Sequence, residues 1–226
     1  MRQTLLWIVW LGFIAYILLF APPIQADTFQ PLQTLFSGQL PTVNPVMIAL
    51  FSLIGIWLLI YSCLIFADGR MQDLPAWAFM LAAMGTGVLG LIPYLAMRQP
   101  NQEFSGEKDA WLALMDARST GVILTISTAI LLAYGLLFGD WAAFVYEFQT
   151  NRFVNGMSLA FCLFCLLFPY PTLWGDDRAR RGLSAVGRTE WLTWIPLFGP
   201  LVYLCRRPAL RQPSLSQTIP QPTLHH

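Results

Sequence analysis

Two short acidic–basic turns hold the residues best suited to chemistry. Asp68-Gly-Arg70 with Asp73 forms one, and Asp176-Asp177-Arg178 with Arg180 and Arg181 forms the other. Adjacent carboxylates are hard oxygen donors that could hold Mg²⁺, and through it a diphosphate. Membrane enzymes that transfer prenyl or phosphatidyl groups use acidic motifs of this general kind, with several Asp at helical spacing. Here the Asp pair stands alone. Both segments therefore read as solvated polar turns with Arg close to lipid phosphates, and no metal is expected.

The other reactive residue types offer less. Cys162-Leu-Phe-Cys165 places two thiols on one helix face. A thiol in apolar surroundings is inert, and that segment has no basic residue to stabilise a thiolate. The four Cys, at 63, 162, 165 and 205, do not have the spacing of an extracellular disulfide framework. The two His are 225 and 226, so no His-based metal, haem or proton-relay site is expected inside a membrane. The single Lys, Lys108, lies in a polar stretch, which excludes a Schiff-base lysine within a helix. No Ser-His-Asp, HExxH, P-loop or GxGxxG pattern is present. Tyr61, Tyr134 and Asn155 are the main polar groups near apolar interiors, and each is expected to hydrogen-bond between helices.

The elements that must position these residues are dictated by composition. Of 226 residues, 56 % are hydrophobic and 11 % charged, and the mean hydropathy is +0.57. A soluble domain carries roughly 25 % charged residues to cover its surface. The chain is therefore expected to be an all-α, polytopic transmembrane bundle. A net charge of +1 provides no polybasic field for nucleic acid.

A transmembrane helix needs about 20 mainly apolar residues. The sequence predicts spans over residues 4–20, 45–66, 76–97, 121–138 and 153–169. A sixth apolar stretch, 191–205, carries Pro196, Gly199 and Pro200 and either spans with a kink or is re-entrant; six spans is the favoured count. A signal-peptide reading of the first run is disfavoured, because Ile24 is not the small residue a cleavage site after Ala26 requires. Residues 21–44 form a Pro-rich loop with an interfacial turn near Leu35-Phe36. Residues 109–118 form a short amphipathic helix with Trp111, Leu114 and Met115 on one side, at the headgroups. Trp77, Trp141, Trp174, Trp191 and Trp194 stand at span ends, where an indole prefers to sit. Residues 1–207 make one domain, and 208–226 a disordered polar tail. If the last apolar segment is re-entrant, the 13 basic residues divide unequally, 10 to 3, with the N-terminus outside. With six spans they divide almost evenly between the two sides. Arg2 and a first loop free of Lys and Arg then favour cytoplasmic termini.

Small residues mark close packing. Gly121, Thr125, Ala129 and Ala133 recur every four residues, as do Ala82, Thr86 and Gly90, beside Ala83 and Gly87. Such stripes let backbones approach. Intramolecular packing is the plain reading, and docking of a partner helix or flat pigment the sharper one. Phe66-Ala-Asp68 and Phe138-Gly-Asp140, with Pro93-Tyr94 and Pro169-Tyr170, hint at two like hairpins related by duplication.

Residues 50–57, 64–70, 74–77 and 90–94, continuing through Asp116-Ala-Arg-Ser-Thr-Gly121 and Phe168-Pro-Tyr170, resemble an uncharacterised family of small polytopic membrane proteins of cyanobacteria and plastids. The likeness covers about residues 45–180. It implies a photosynthetic setting, in a thylakoid or plasma membrane, and carries over no catalytic residue. The resulting expectation is a non-enzymatic accessory or assembly protein that binds other membrane proteins, with carotenoid, chlorophyll or lipid as candidate ligands. The alternative is a membrane enzyme acting on isoprenoid, carotenoid or glycerolipid substrates through the polar turns. A passive small-molecule transporter is a third option.

Overall fold

A computed structural model describes residues 2–37, 43–169, 172–183 and 195–210. Among these residues the regular structure is entirely helical. Trp191, Trp194, Tyr170 and the tail beyond 210 lie outside the described residues.

Three helices are long and apolar enough to cross a membrane: α1 (Arg2–Leu19), α3 (Pro45–Asp68, continued by a 3₁₀ turn to Met71) and α7 (Arg118–Phe138). At 1.5 Å per residue the 24 residues of α3 extend about 36 Å, more than the roughly 30 Å of hydrocarbon. A fourth crossing is available where α8 (Trp141–Thr150) and α9 (Arg152–Leu167) meet at a bend of 103°. The short α2 (Gln30–Phe36) occupies the expected interfacial turn. Membrane compatibility thus rests on three or four apolar helices rather than six.

α3 is the central post, and its neighbours run antiparallel or parallel to it in a fixed order. Asn44 joins the start of α3 to the end of α7: its Nδ2 donates to the Asp140 carbonyl at 2.7 Å and its Oδ1 accepts from the Asp140 amide at 3.2 Å. α9 returns alongside α3. The rings of Trp57 and Tyr61 pack against those of Phe164 and Phe168, with only Trp57 and Phe164 stacked, and the Tyr61 hydroxyl donates to the Phe164 carbonyl at 3.1 Å. The Tyr16 hydroxyl of α1 donates to Asn155 Oδ1 at 3.0 Å, at the α9 start. Tyr61 and Asn155 therefore make the interhelical bonds expected of them. Hydroxyls within the helices are satisfied locally, as Thr125, Thr128 and Ser158 donate to carbonyls four residues back.

The third apolar segment departs from expectation. Residues 76–97 do not form one span but a hairpin of two half-length helices, α4 (Ala76–Thr86) and α5 (Val88–Met97). Gly87 turns the chain with φ +62°, a conformation that L side chains rarely adopt. The rings of Phe79 and Tyr94 are 5.6 Å apart, whereas a straight helix would separate them by about 22 Å. Gly90 lies so close to α4 that a Cβ there would stand 2.6 Å from the Ala82 carbonyl carbon. Both ends of the hairpin sit together, because Gln72 and Gln99 exchange two hydrogen bonds of 2.7 and 2.8 Å. Each arm, about 15 Å long, reaches half-way through a bilayer. Composition alone could not reveal this, since 22 apolar residues satisfy a span and a hairpin equally.

Proline also fixes α1 to this hairpin. Pro93 has no N–H to give the Leu89 carbonyl four residues back. The Trp10 indole of α1 fills that vacancy, donating to the Leu89 carbonyl at 2.9 Å.

The sixth apolar segment differs too. Its described helix, α11 (Phe198–Arg206), has nine residues. Arg181 before the segment and Arg207 after it both bond Asp177, so the chain leaves and rejoins the same end of the molecule. The proposed duplication gains nothing from this arrangement, because residues 76–97 double back whereas α9 is continuous.

Gly90→Ala should push α4 from α5 and lower stability by about 1–3 kcal/mol, the usual cost of overpacking. Gly55→Ala, where a Cβ meets nothing within 4 Å, should be neutral or stabilise by up to about 1 kcal/mol. Thermal or SDS-titrated unfolding in detergent measures both.

Candidate functional site

The acidic turns of the sequence are solvated only at Arg70 and Asp73; their other charged residues are buried. They meet in one buried ionic cluster at the end of the bundle that holds the C-termini of α3, α5 and α11. α10 (Thr172–Arg180) is its hub, because Asp176, Asp177 and Arg180, with Arg181 just beyond it, bring four paired charges together within six residues.

The first half of the cluster is built around Asp68, the last residue of α3, which is wholly buried. Its Oδ2 accepts from the Tyr94 hydroxyl at 2.7 Å and from Arg98 Nε at 2.8 Å. Its Oδ1 accepts from Arg98 Nη2 at 2.6 Å and also pairs with Arg180. The same Arg98 Nη2 reaches Asp176 Oδ2 at 2.6 Å. Arg98 is thus a fork that ties α3, the hairpin and α10. Arg180 is less complete: its Nε and Nη1 are buried without a hydrogen-bond partner.

The second half joins α6 (Ala110–Asp116), α10 and α11. Arg181 donates through Nε to Asp177 Oδ2 at 2.9 Å and through Nη1 to Asp116 Oδ1 at 2.6 Å. Tyr203 of α11 donates its hydroxyl to Asp177 Oδ2 at 2.6 Å. Arg207 donates to the Met115 carbonyl at 2.7 Å and reaches Asp177 at 3.5 Å. Lys108 closes the set on Asp116 Oδ2 at 2.5 Å, where the Leu210 amide also donates at 3.1 Å. Leu210 is itself buried, so ordered packing continues past the expected boundary at residue 207.

The electrostatics follow from this pairing. Burial by itself would raise both carboxyls. For Asp177 the nearby Arg181 and Arg207 outweigh it, and for Asp116 Arg181, Lys108 and the Leu210 amide do so. Both are held below the ordinary aspartate range. Burial pushes the Tyr203 hydroxyl well up, reinforced by Asp177. The hydroxyl is therefore a fixed donor and not a proton shuttle at neutral pH.

This arrangement leaves little free chemistry. Asp68, Asp116, Asp176 and Asp177 all accept from cations within the chain. Among the described residues no group of three His, Cys, Asp or Glu could hold a metal. A diphosphate site built on Asp176 and Asp177 would have to break these ion pairs first. Arg178 is buried and lies over the Trp174 ring at 4.7 Å, so the predicted headgroup-facing Arg is packed inside. Arg70 and Asp73 remain at the surface as expected, with Arg70 paired to Asp109.

The small-residue stripes divide. Gly121 and Thr125 pack on α11: a Cβ at Gly121 would stand 2.8 Å from the Leu204 carbonyl carbon, and the Thr125 hydroxyl is 3.5 Å from Cys205 Sγ. Ala129 and Ala133 are exposed. Gly90 packs within its own hairpin, whereas Ala82 and Thr86 of α4 are exposed. In α6, Trp111 and Leu114 are exposed as an interfacial helix requires, but Met115 turns inward. Trp77 and Trp141 are exposed at helix starts, whereas Trp174 packs edge-on against Tyr203. Cys162 is exposed and Cys165 half-buried, and neither meets a cation.

Sequence reasoning passed over Arg98, Asp116 and Arg207. Each stands at or next to the end of an apolar run. A charge in that position is pulled inward whenever its partner occupies the end of another helix. The chain matches no protein-family model, no curated protein and no solved structure.

Asp68→Asn leaves Arg98 and Arg180 without their shared counter-charge and should cost about 3–5 kcal/mol, as for other broken buried pairs. Arg70→Ala, at an exposed pair, should leave stability nearly unchanged; unfolding in detergent compares the two. Because Asp116 and Asp177 titrate lower when folded, their stabilisation is complete above the ordinary aspartate pKa of about 3.9 and disappears as pH falls through the folded values. Unfolding midpoints should therefore be flat from pH 7 to about 5 and drop steeply below about 4.

Proposed function

We propose that this chain is a non-catalytic integral membrane protein that works by association, as an accessory or assembly factor of a photosynthetic membrane. The photosynthetic setting rests on the resemblance of residues 45–180. The associative role rests on the exposed arm of the hairpin. α4 ends half-way through the bilayer with Leu81, Ala82, Met84, Gly85 and Thr86 exposed. The last carbonyls of a helix have no partners within it. Hydrocarbon cannot hydrogen-bond them, and irregular backbone at membrane depth persists only when protein or a water-filled cavity covers it. A transmembrane segment of a partner protein supplies such cover, and the small residues of α4 let it come close. Carotenoid, chlorophyll or lipid are candidate further ligands along the apolar faces, without His coordination inside the membrane.

The alternative, an enzyme acting on isoprenoid, carotenoid or glycerolipid substrates, draws on the same acidic turns. Their carboxylates are already occupied by arginine, which favours the associative reading.

Affinity purification of the full chain in mild detergent should recover at least one co-purifying membrane protein. Gly85→Leu should lower that recovery several-fold without moving the unfolding midpoint. A lone monomer that carries neither subunit nor pigment would overturn the proposal.

A further inference from the structure

The fold changes how the cations divide between the two ends of the molecule, and with it the orientation they favour. Six spans would scatter the cations over both sides. The observed arrangement does not. The hairpin of residues 76–97 starts and ends on one side, and the chain from Arg181 to Arg207 returns to its starting end. α1, α3, α7 and α9 then cross in alternation. The contacts of Tyr16 with Asn155, and of Arg152 with the Pro22 carbonyl at 2.6 Å, place the C-terminus of α1 beside the start of α9. Arg2 therefore lies at the opposite, ion-cluster end, as do the Lys and Arg of the connections 69–75 and 98–117.

Among the described residues, Arg152 is the one cation at the end formed by Asn44, Asp140 and α8. Every other described Lys and Arg lies at the ion-cluster end. Arg2, Arg70, Arg118 and Arg206 are exposed there, and the indoles of Trp77 and Trp111 are exposed at the same end. The other end also carries Asp27, Asp140 and Glu147.

We infer that the ion-cluster end faces the compartment in which the chain is made, and that its exposed arginines form a surface for the anionic headgroups of that leaflet. Two physical arguments converge. Short connections rich in Lys and Arg are retained on the side of synthesis, and the acidic residues among them count for little, since the bias is not one of net charge. The cytoplasmic leaflet is also the anionic one, and each Lys or Arg near it gains about 1 kcal/mol. Burial of several arginines in the folded state does not weaken the first argument, because retention acts on the connections before the cluster closes. Both the hairpin and α11 then enter the bilayer from the side of synthesis. This orientation does not depend on the proposed function.

The test is labelling with a membrane-impermeant maleimide in cells that hold the full chain in their plasma membrane, with the unsubstituted chain as blank. Ser105→Cys samples the exposed loop before α6, and Gln149→Cys the exposed face of α8. Q149C should label in intact cells at least ten-fold more than S105C, and S105C should label only after permeabilisation. The reverse pattern would overturn the orientation. Labelling of both positions from one side would overturn the separation of the two ends, and failure of either to label after permeabilisation would contradict the exposure on which the assignment rests.

Discussion

The carboxylate of Asp68 sits at the foot of the central helix with no access to water, and two guanidiniums and a phenol hydroxyl converge on it. The rest of the architecture depends on that convergence. An aspartate or arginine taken alone out of water is costly, and the attraction between them offsets that cost only when geometry and further hydrogen bonds are good. Here three of the acids, Asp68, Asp116 and Asp177, are each shared between cations from different parts of the chain. Asp68 takes Arg98 from the hairpin and Arg180 from α10, and Asp177 takes Arg181 and Arg207. Removing any one element strands a charge on the others. The cluster is therefore better regarded as a device for specifying which helix ends meet than as a store of stability.

Around this anchor the apolar packing is conventional for a membrane. The aromatic group of Trp57, Tyr61, Phe164 and Phe168 holds α3 to α9, and Gly135 brings α7 against Ala49. What distinguishes the fold is the half-depth hairpin. It is tolerated because α5 is buried among α1, α4 and α9, and because its proline-orphaned carbonyl is met by Trp10. Only the outer face of α4, at Leu81, Ala82, Met84, Gly85 and Thr86, is left without cover by the described residues.

The sequence made the membrane character, α1, α3 and α7, and the interfacial helix near Trp111 legible, because length and hydropathy decide those elements directly. It did not make the hairpin legible. Gly87 and Gly90 were visible as small residues, but their stripe reads equally as packing between spans; only a positive φ at Gly87 separates the two. The site was half legible. Asp68, Asp176, Asp177 and Arg178 were singled out, yet as solvated turns, because local sequence cannot show that Arg98 and Arg180 lie beside Asp68. Burial of a charge is a property of partners that lie far along the chain, and no window of sequence contains both. The even division of cations came from the same source, since one misread hairpin inverts the side of every connection after it.

The ion cluster also imposes an order in time. Asp68 leaves the ribosome 112 residues before Arg180, and Arg98 78 residues before Asp176. During that interval the early charges cannot be sealed in apolar surroundings without counter-ions, so they must wait in water on the side where they emerged. The helix ends they terminate stay loosely seated until α10 arrives. Closing of the bundle in this sense comes late and depends on a nine-residue segment rather than on insertion of the spans.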